Sequence, residues 1–154
     1  MKYYKNSENQ TTTADRLEHE ALIPAGYTEI TEAEYNLALA TIPNKLAELA
    51  AYRFAKETAG ITINGAIIRT DLESQAMING AVAYANLNPT ALIDWKAANG
   101  WVQIDKDTVI AVGNAVGAHV QACYSRERVH AEAIAALTTP AEILVYDFTT
   151  GWPE

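Results

Sequence analysis

A chain of 154 residues, 49% of them apolar, is long enough for one full domain with room for a small appendage, and it needs no staples to hold a core. Its net charge of −8 at pH 7 repels phosphate backbones and its eleven Lys and Arg are scattered, so a nucleic-acid partner is not expected. Cys123 is the single cysteine, which excludes an intrachain disulfide; no run approaches the ~20 apolar residues of a spanning helix, and the N-terminus lacks the apolar core of a cleavable signal, so neither a membrane partner nor export by that route is expected.

The chain opens on an aromatic segment, Tyr3-Tyr4, followed by a polar run from Asn6 to Arg16. The first part of this region reads as a strand and the second as a mobile loop. Ile23-Pro24-Ala25-Gly26 reads as a turn. Thr31 and Glu34 then form a capping box, with Ile30 and Tyr35 placed for a hydrophobic staple, and predict a short helix to about Thr41. Pro43 cannot continue that helix. A second helix is expected from about Asn44 to Thr58, with Leu46, Leu49, Ala50 and Phe54 on one stripe and Gly60 closing it.

The pattern then changes from period 3.6 to period 2. Ile61-Thr62-Ile63 and Ala66-Ile67-Ile68 flank Asn64-Gly65, which predicts a type I′ hairpin with Ile63 opposite Ala66 and Ile61 opposite Ile68. Thr70 and Glu73 read as a further capping box, with Asp71 adding negative charge to the first turn. The helix that follows carries Leu72, Ala76, Gly80, Ala83 and Leu87 as its expected packing stripe, ending at Asn88-Pro89. The same grammar recurs in a strand at Leu92 to Trp95, a turn at Ala97 to Gly100 and a strand at Trp101 to Ile104. Asp105 and Asp107 open a long helix to about Leu137, with Val109, Val112, Val116, Val120 and Cys123 facing the core and Gly113 and Gly117 available to meet the Gly80 side of the earlier helix. Ile143 to Tyr146 is too short to separate strand from helix, and Gly151-Trp152-Pro153 reads as a turn.

These elements predict an α+β fold. It is helix-rich, with two β-hairpin/helix units packed on a preceding helix, plus a small N-terminal strand and helix segment. The expected division is a small segment at 1–43 and a main α+β domain at 44–154.

Recognisable chemistry is sparse in the sequence. Nucleophile elbows, P-loops, dinucleotide fingerprints and His-Glu-x-x-His motifs are absent from the sequence. His119, Cys123, Glu127 and His130 share one helical face, and Glu127-x-x-His130 is half of a di-iron carboxylate motif, but the second half is missing. Cys123 lies mid-helix, away from an activating helix N-terminus, so packing is its expected role, and no metal or cofactor is predicted. Carboxylate pairs such as Glu32/Glu34 and Asp105/Asp107 are accounted for by helix N-terminal electrostatics, and no catalytic residues are assigned. Trp95 and Trp101 flank a turn and read as a cross-strand or diagonal core pair. Tyr3, Tyr4, Trp101 and Trp152 are the candidate partner-binding residues, because exposed aromatics anchor protein interfaces.

From Arg53 to Leu137 the sequence resembles a domain of unknown biochemical function that recurs in tail-fibre and tail-fibre assembly gene products of tailed bacteriophages and prophages. The resemblance is carried by Arg53-Phe54-Ala55-Lys56-Glu57, Ile61 to Gly65, Thr70 to Ala76, Asp94-Trp95-Lys96 and Ala118 to Cys123. Gly151-Trp152-Pro153 resembles the same family's C-terminus, while Met1 to Lys5 and Ile30 to Glu34 resemble the start of small tail-fibre assembly proteins. The polar run Asn6 to Arg16 is the poorest match.

The resemblance implies work by protein contact, without catalytic residues. The expected role is a tail-fibre assembly chaperone or adaptor that binds the fibre's receptor-binding end; the alternative is a structural subunit of the fibre or baseplate. The implied partner is a tail-fibre protein, itself trimeric. The implied location is the host cytoplasm during assembly, with retention in the virion tail as the alternative.

Overall fold

The computed structural model describes residues 1–97 and 100–153. The predicted turn at Ala97 to Gly100 has its centre, Ala98-Asn99, outside the described residues. The chain is a helix-rich α+β protein, as its periodicities predict. It divides into two compact units, Met1–Leu49 with His130–Phe148, and Ala50–Val129 with Thr149–Glu154.

The first unit holds a three-stranded antiparallel meander of β1 (Lys2–Lys5), β2 (Thr11–Ala14) and β3 (Thr28–Ile30), in the order β2-β1-β3. The polar run is therefore not a plain loop. Thr11–Ala14 is a strand whose Ala14 pairs with Lys2 and whose Thr11 pairs with Lys5. Asn9 at φ 61 makes the tight return, with the Asn6 side chain accepting from the backbone N–H of Glu8 and Gln10. A one-turn helix, α1 (Leu17–Glu20), follows, and Lys2 is paired to its Glu20 at 2.8 Å.

Helix α2 (Glu32–Leu39) starts at the predicted capping box: Thr31 Oγ1 accepts from Glu34 N–H, and the Glu34 carboxylate accepts from Thr31 N–H. Helix α3 (Ile42–Glu57) begins two residues before the predicted Asn44, with Pro43 in its first turn, where a missing N–H costs nothing. Helix α6 (Pro140–Val145) settles the ambiguous C-terminal run as helix, again by a capping box, Thr139 with Glu142. Tyr4, Ala14, Ala40, Leu49, Ile134 and Ile143 are the buried apolar residues of this unit.

The second unit contains both hairpins and the helices that follow them. Strands β4 (Ile61–Ile63) and β5 (Ala66–Ile68) pair in the predicted register, Ile61 with Ile68 and Ile63 with Ala66. Asn64 at φ 50 and Gly65 at φ 81 supply the two positive-φ positions of a type I′ turn. Helix α4 (Leu72–Leu87) is capped by Asp71, which accepts from Ser74 N–H at 3.0 Å. The predicted Thr70–Glu73 box does not form, because the Thr70 hydroxyl is committed elsewhere. Strands β6 (Ile93–Ala97) and β7 (Gly100–Ile104) form the second hairpin, and α5 (Lys106–Ala135) follows, capped by Asp105 on Thr108 N–H at 2.8 Å.

Among the described residues, Ile78 and Ala85 of α4, with Val109, Val116 and Cys123 of α5, are the unit's buried apolar side chains. This reverses the predicted face of α4: Leu72 is 60% and Leu87 83% exposed, and Ala76, Gly80 and Ala83 are exposed between them. Gly113 of α5 does meet α4, since a Cβ there would lie 2.7 Å from Val82 Cγ2, but Gly80 and Gly117 face open space. Phe54 likewise leaves the predicted α3 stripe and is 45% exposed.

Candidate functional site

The buried polar groups of the second unit converge on the C-terminal end of α3. Arg53 and Glu57 lie one turn apart, and the Arg53 Nη1 is ion-paired with the Glu57 carboxylate. The side chain of Glu57 is 4% exposed, too dry for an unpartnered charge. Its other oxygen accepts from Gln75 Nε2 of α4 at 3.2 Å. Arg53 Nε lies 2.9 Å from Glu127 Oε2 of α5, an ion pair by distance without the alignment of a hydrogen bond. The guanidinium also stacks on the Tyr124 ring, 4.4 Å from its centroid.

Thr70, fully buried, closes the same corner. Its hydroxyl donates to the Glu57 carbonyl at 2.5 Å and accepts from Gly60 N–H at 2.9 Å, while Gln75 Nε2 also donates to the Thr70 carbonyl at 2.7 Å. One hydroxyl thus satisfies the carbonyl of the last residue of α3, which a helix end otherwise leaves orphaned, and the N–H of Gly60 three residues on. Gly60 at φ +92 allows the reversal, and a Cβ there would crowd the Ile68 carbonyl at 3.1 Å.

His119 of α5 approaches the same helix end, its Nε2 3.2 Å from the Lys56 carbonyl. A carbonyl only accepts, so Nε2 carries the proton and cannot receive the Cys123 thiol hydrogen. The Cys123 Sγ, 3.8 Å away, is at most a weak acceptor of that shared proton. Burial pushes the Cys123 thiol pKa up, and the nearby Glu57 charge adds to the rise. A protonated, fully buried thiol is inert as a nucleophile.

The predicted face of His119, Cys123, Glu127 and His130 is therefore divided among different partners. His119 binds a backbone carbonyl, Glu127 pairs with Arg53, and His130 Nδ1 lies 2.9 Å from the Tyr146 hydroxyl. Among the described residues no group of three or more His, Cys, Asp or Glu is placed to hold a metal ion. Sequence reading missed the Arg53–Glu57–Thr70–Gln75 assembly. Its signal was present: two opposite charges continue, at helical spacing, the stripe of Leu46 and Leu49.

The four aromatic candidates are placed very differently. Tyr3 packs on Tyr35 with ring centroids 4.8 Å apart, and Tyr4 is buried in the first unit's sheet. Trp152 is half-buried edge-on against Tyr52, centroids 5.4 Å apart. The segment around it is tied down: Arg126 Nε donates to the Thr150 carbonyl at 2.9 Å, and the guanidinium fills the space beside Gly151 that a Cβ would need. Trp101 alone stands in solvent, 72% exposed, with Lys96 Nζ 5.9 Å from its ring. The expected Trp95–Trp101 core pair is not formed. Trp95 pairs with Val102 and Trp101 with Lys96, and successive pairs point to opposite faces of a two-stranded ribbon.

In the first unit a small hollow of about 130 Å³ lies between Leu39, Ala40, Lys45, Ile143 and Leu144. Lys45 is occupied there, 3.3 Å from Glu48 and 5.1 Å from the Phe148 ring centroid.

The motif residues Arg53, Glu57, Thr70, Gln75, His119 and Cys123 thus build one buried network rather than a cleft. No curated protein and no solved structure matches the chain. A family model does match, over residues 41–150, a span that holds the whole network and both hairpins. The chain belongs to the family of the domain of unknown function DUF4376.

Proposed function

We propose that this protein is a protein-contact module of tailed-phage assembly, a chaperone or adaptor that holds the receptor-binding end of a tail fibre while it trimerises. The resemblance to tail-fibre and tail-fibre assembly gene products supplies the context. The observation that carries the reading is Trp101, 72% exposed on the outer face of the β6–β7 hairpin and flanked by Lys96. An exposed tryptophan on a two-stranded ribbon contributes nothing to the core, and tryptophan is the side chain most enriched among interface anchors. Unassembled fibre ends expose apolar surface and unpaired strand edges, which a shielding partner protects from aggregation. The buried polar groups of this unit, Arg53, Glu57, Thr70, Gln75 and His119, hold helices together.

The test is co-expression of a tail-fibre protein with wild-type chain or with Trp101→Ala. The reading expects soluble fibre trimer with the wild type and, with the variant, an affinity for fibre lower by about 30-fold, the loss of about 2 kcal/mol typical of an anchor residue. Fibre that trimerises equally well with no added protein defeats the chaperone role. A stoichiometric copy number in purified particles, read by mass spectrometry, would instead make the protein a structural subunit of the tail.

A further inference from the structure

Helix α4 has the wrong surface for a helix bordered by water. Across its sixteen residues the only charge is Glu73. Its inner face is used: Ile78 and Ala85 are buried, and Ser74, Gln75, Ala81 and Val82 half-buried. Its outer face carries Glu73, Asn79 and Asn86, but its large side chains are apolar and uncovered, with Leu72 60%, Met77 58%, Tyr84 52% and Leu87 83% exposed. A water-bordered helix normally keeps its large apolar side chains to one face.

The order of residues on that face suits a second copy of the same helix. Leu72, Ala76, Gly80, Ala83 and Leu87 fall within about 80° of one another at 100° per residue. Read about the point between Asn79 and Gly80, Leu72 mirrors Leu87, Ala76 mirrors Ala83 and Gly80 mirrors Asn79. Two copies laid antiparallel therefore place leucines over each other at both ends, alanines inside them and Gly80 against Asn79 at the crossing, a closed isologous contact.

Charge selects the same arrangement. A chain of net charge −8 repels its own copy over most of its surface, but this face carries only the charge of Glu73. Antiparallel pairing sets the two Glu73 carboxylates about 20 Å apart along the axis, beyond the ~10 Å screening length, and opposes the helix dipoles favourably. Parallel pairing would bring both carboxylates together. At about 200 Å² for a large side chain, Leu72 and Leu87 on the stripe, with Met77 and Tyr84 on its flank, offer at most about 500 Å² per copy. A total of at most about 1,000 Å² is below the standard size of a stable interface and suits a weak, reversible association. We propose that the protein forms an antiparallel two-fold dimer through the outer face of α4.

The experiment is sedimentation of the full chain without fibre, from about 1 to 500 µM. Wild type should rise from the 16.7 kDa monomer toward twice that mass. Gly80→Arg should remain monomeric throughout with unchanged circular dichroism, because a Cβ at Gly80 meets nothing within 4 Å in the folded chain. Gly80→Cys, beside the two-fold axis, should oxidise to a linked dimer at least tenfold faster than Ser125→Cys, an exposed position on α5. A wild type that stays monomeric at the highest concentration, a dimer that survives Gly80→Arg, or equal oxidation of the two cysteine variants overturns the proposal. If the wild type is monomeric and Gly80→Arg instead abolishes fibre co-purification, the face belongs to the fibre and self-pairing is wrong.

Discussion

Replacing Thr70 by valine removes one oxygen from the corner where α3, the first hairpin and α4 meet, and leaves the shape of the side chain almost unchanged. The Glu57 carbonyl loses the hydrogen bond it accepts at 2.5 Å, and Gly60 N–H loses its acceptor at 2.9 Å. Glu57 is buried, so its carbonyl is not rehydrated; Gly60 is half-buried and recovers part of its loss from water. At about 1–3 kcal/mol for a buried group left unpaired, the two together cost about 2–3 kcal/mol. For a chain of this length that lowers Tm by about 5–10 °C. Thr70→Ser keeps the hydroxyl and deletes a methyl group, which costs about 1 kcal/mol. The assay is urea unfolding followed by circular dichroism, with an unchanged m-value required for the comparison. Valine must fall below serine in stability. If valine equals or exceeds serine, Thr70 is merely filling an apolar space and the hydrogen-bond account of this corner is wrong.

The two α5 glycines should respond in opposite directions to alanine. Gly117→Ala, with nothing within 4 Å of the new Cβ, should gain up to about 1 kcal/mol from helix propensity, whereas Gly113→Ala meets Val82 Cγ2 at 2.7 Å and should lose stability in the same unfolding assay. Cys123, buried and with its thiol pKa raised, should resist a disulfide reagent at pH 8 in the native protein and react at once in denaturant; native labelling at the free-thiol rate would contradict its burial. The capping carboxylates should govern acid sensitivity. Asp71 is lowered by Ser74 N–H, Asp105 by the Thr108 hydroxyl, Glu142 by the Thr139 hydroxyl and Glu34 by Thr31 N–H. A depressed folded pKa contributes stability that is complete above the unfolded value of about 4 and is lost as pH falls through the folded one. Asp71→Asn, which keeps the capping oxygen but cannot titrate, should therefore show a shallower loss of Tm between pH 5 and pH 3 than wild type, and an identical slope would remove Asp71 from that account.

How much of this was readable beforehand depends on the range of the interaction that decides each element. The Asn64-Gly65 hairpin and the Thr31–Glu34 box were readable because their determinants sit within four residues and the backbone leaves them few alternatives. Thr70-Asp71-Leu72-Glu73-Ser74 offers two caps one residue apart, Thr70 with Glu73 and Asp71 with Ser74, and local grammar prefers the first. What decides between them is the demand of Glu57 and Gly60, 13 and 10 residues away, for the Thr70 hydroxyl. Strand β2 is a polar threonine run without alternation, so only its pairing with β1 reveals it.

Helix α4 marks the sharper limit. Periodicity chooses a buried face by contrast between two sides, and α4 has almost none, because large apolar side chains stand on both its inner and outer surfaces. The stripe that sequence selected, Leu72 to Leu87, is a packing surface by composition, yet among the described residues nothing covers it. Arg53 and Glu57 invert the problem. An i, i+4 ion pair reads as a solvated flank, and it is buried only because Gln75, Tyr124 and Glu127 arrive from two other helices to receive it. Replacing such a pair by apolar residues is often neutral, whereas removing one partner alone costs about 3–5 kcal/mol. The network's role is therefore geometric. It fixes how α3, α4 and α5 meet in the second unit, and so which face of α4 is presented outward.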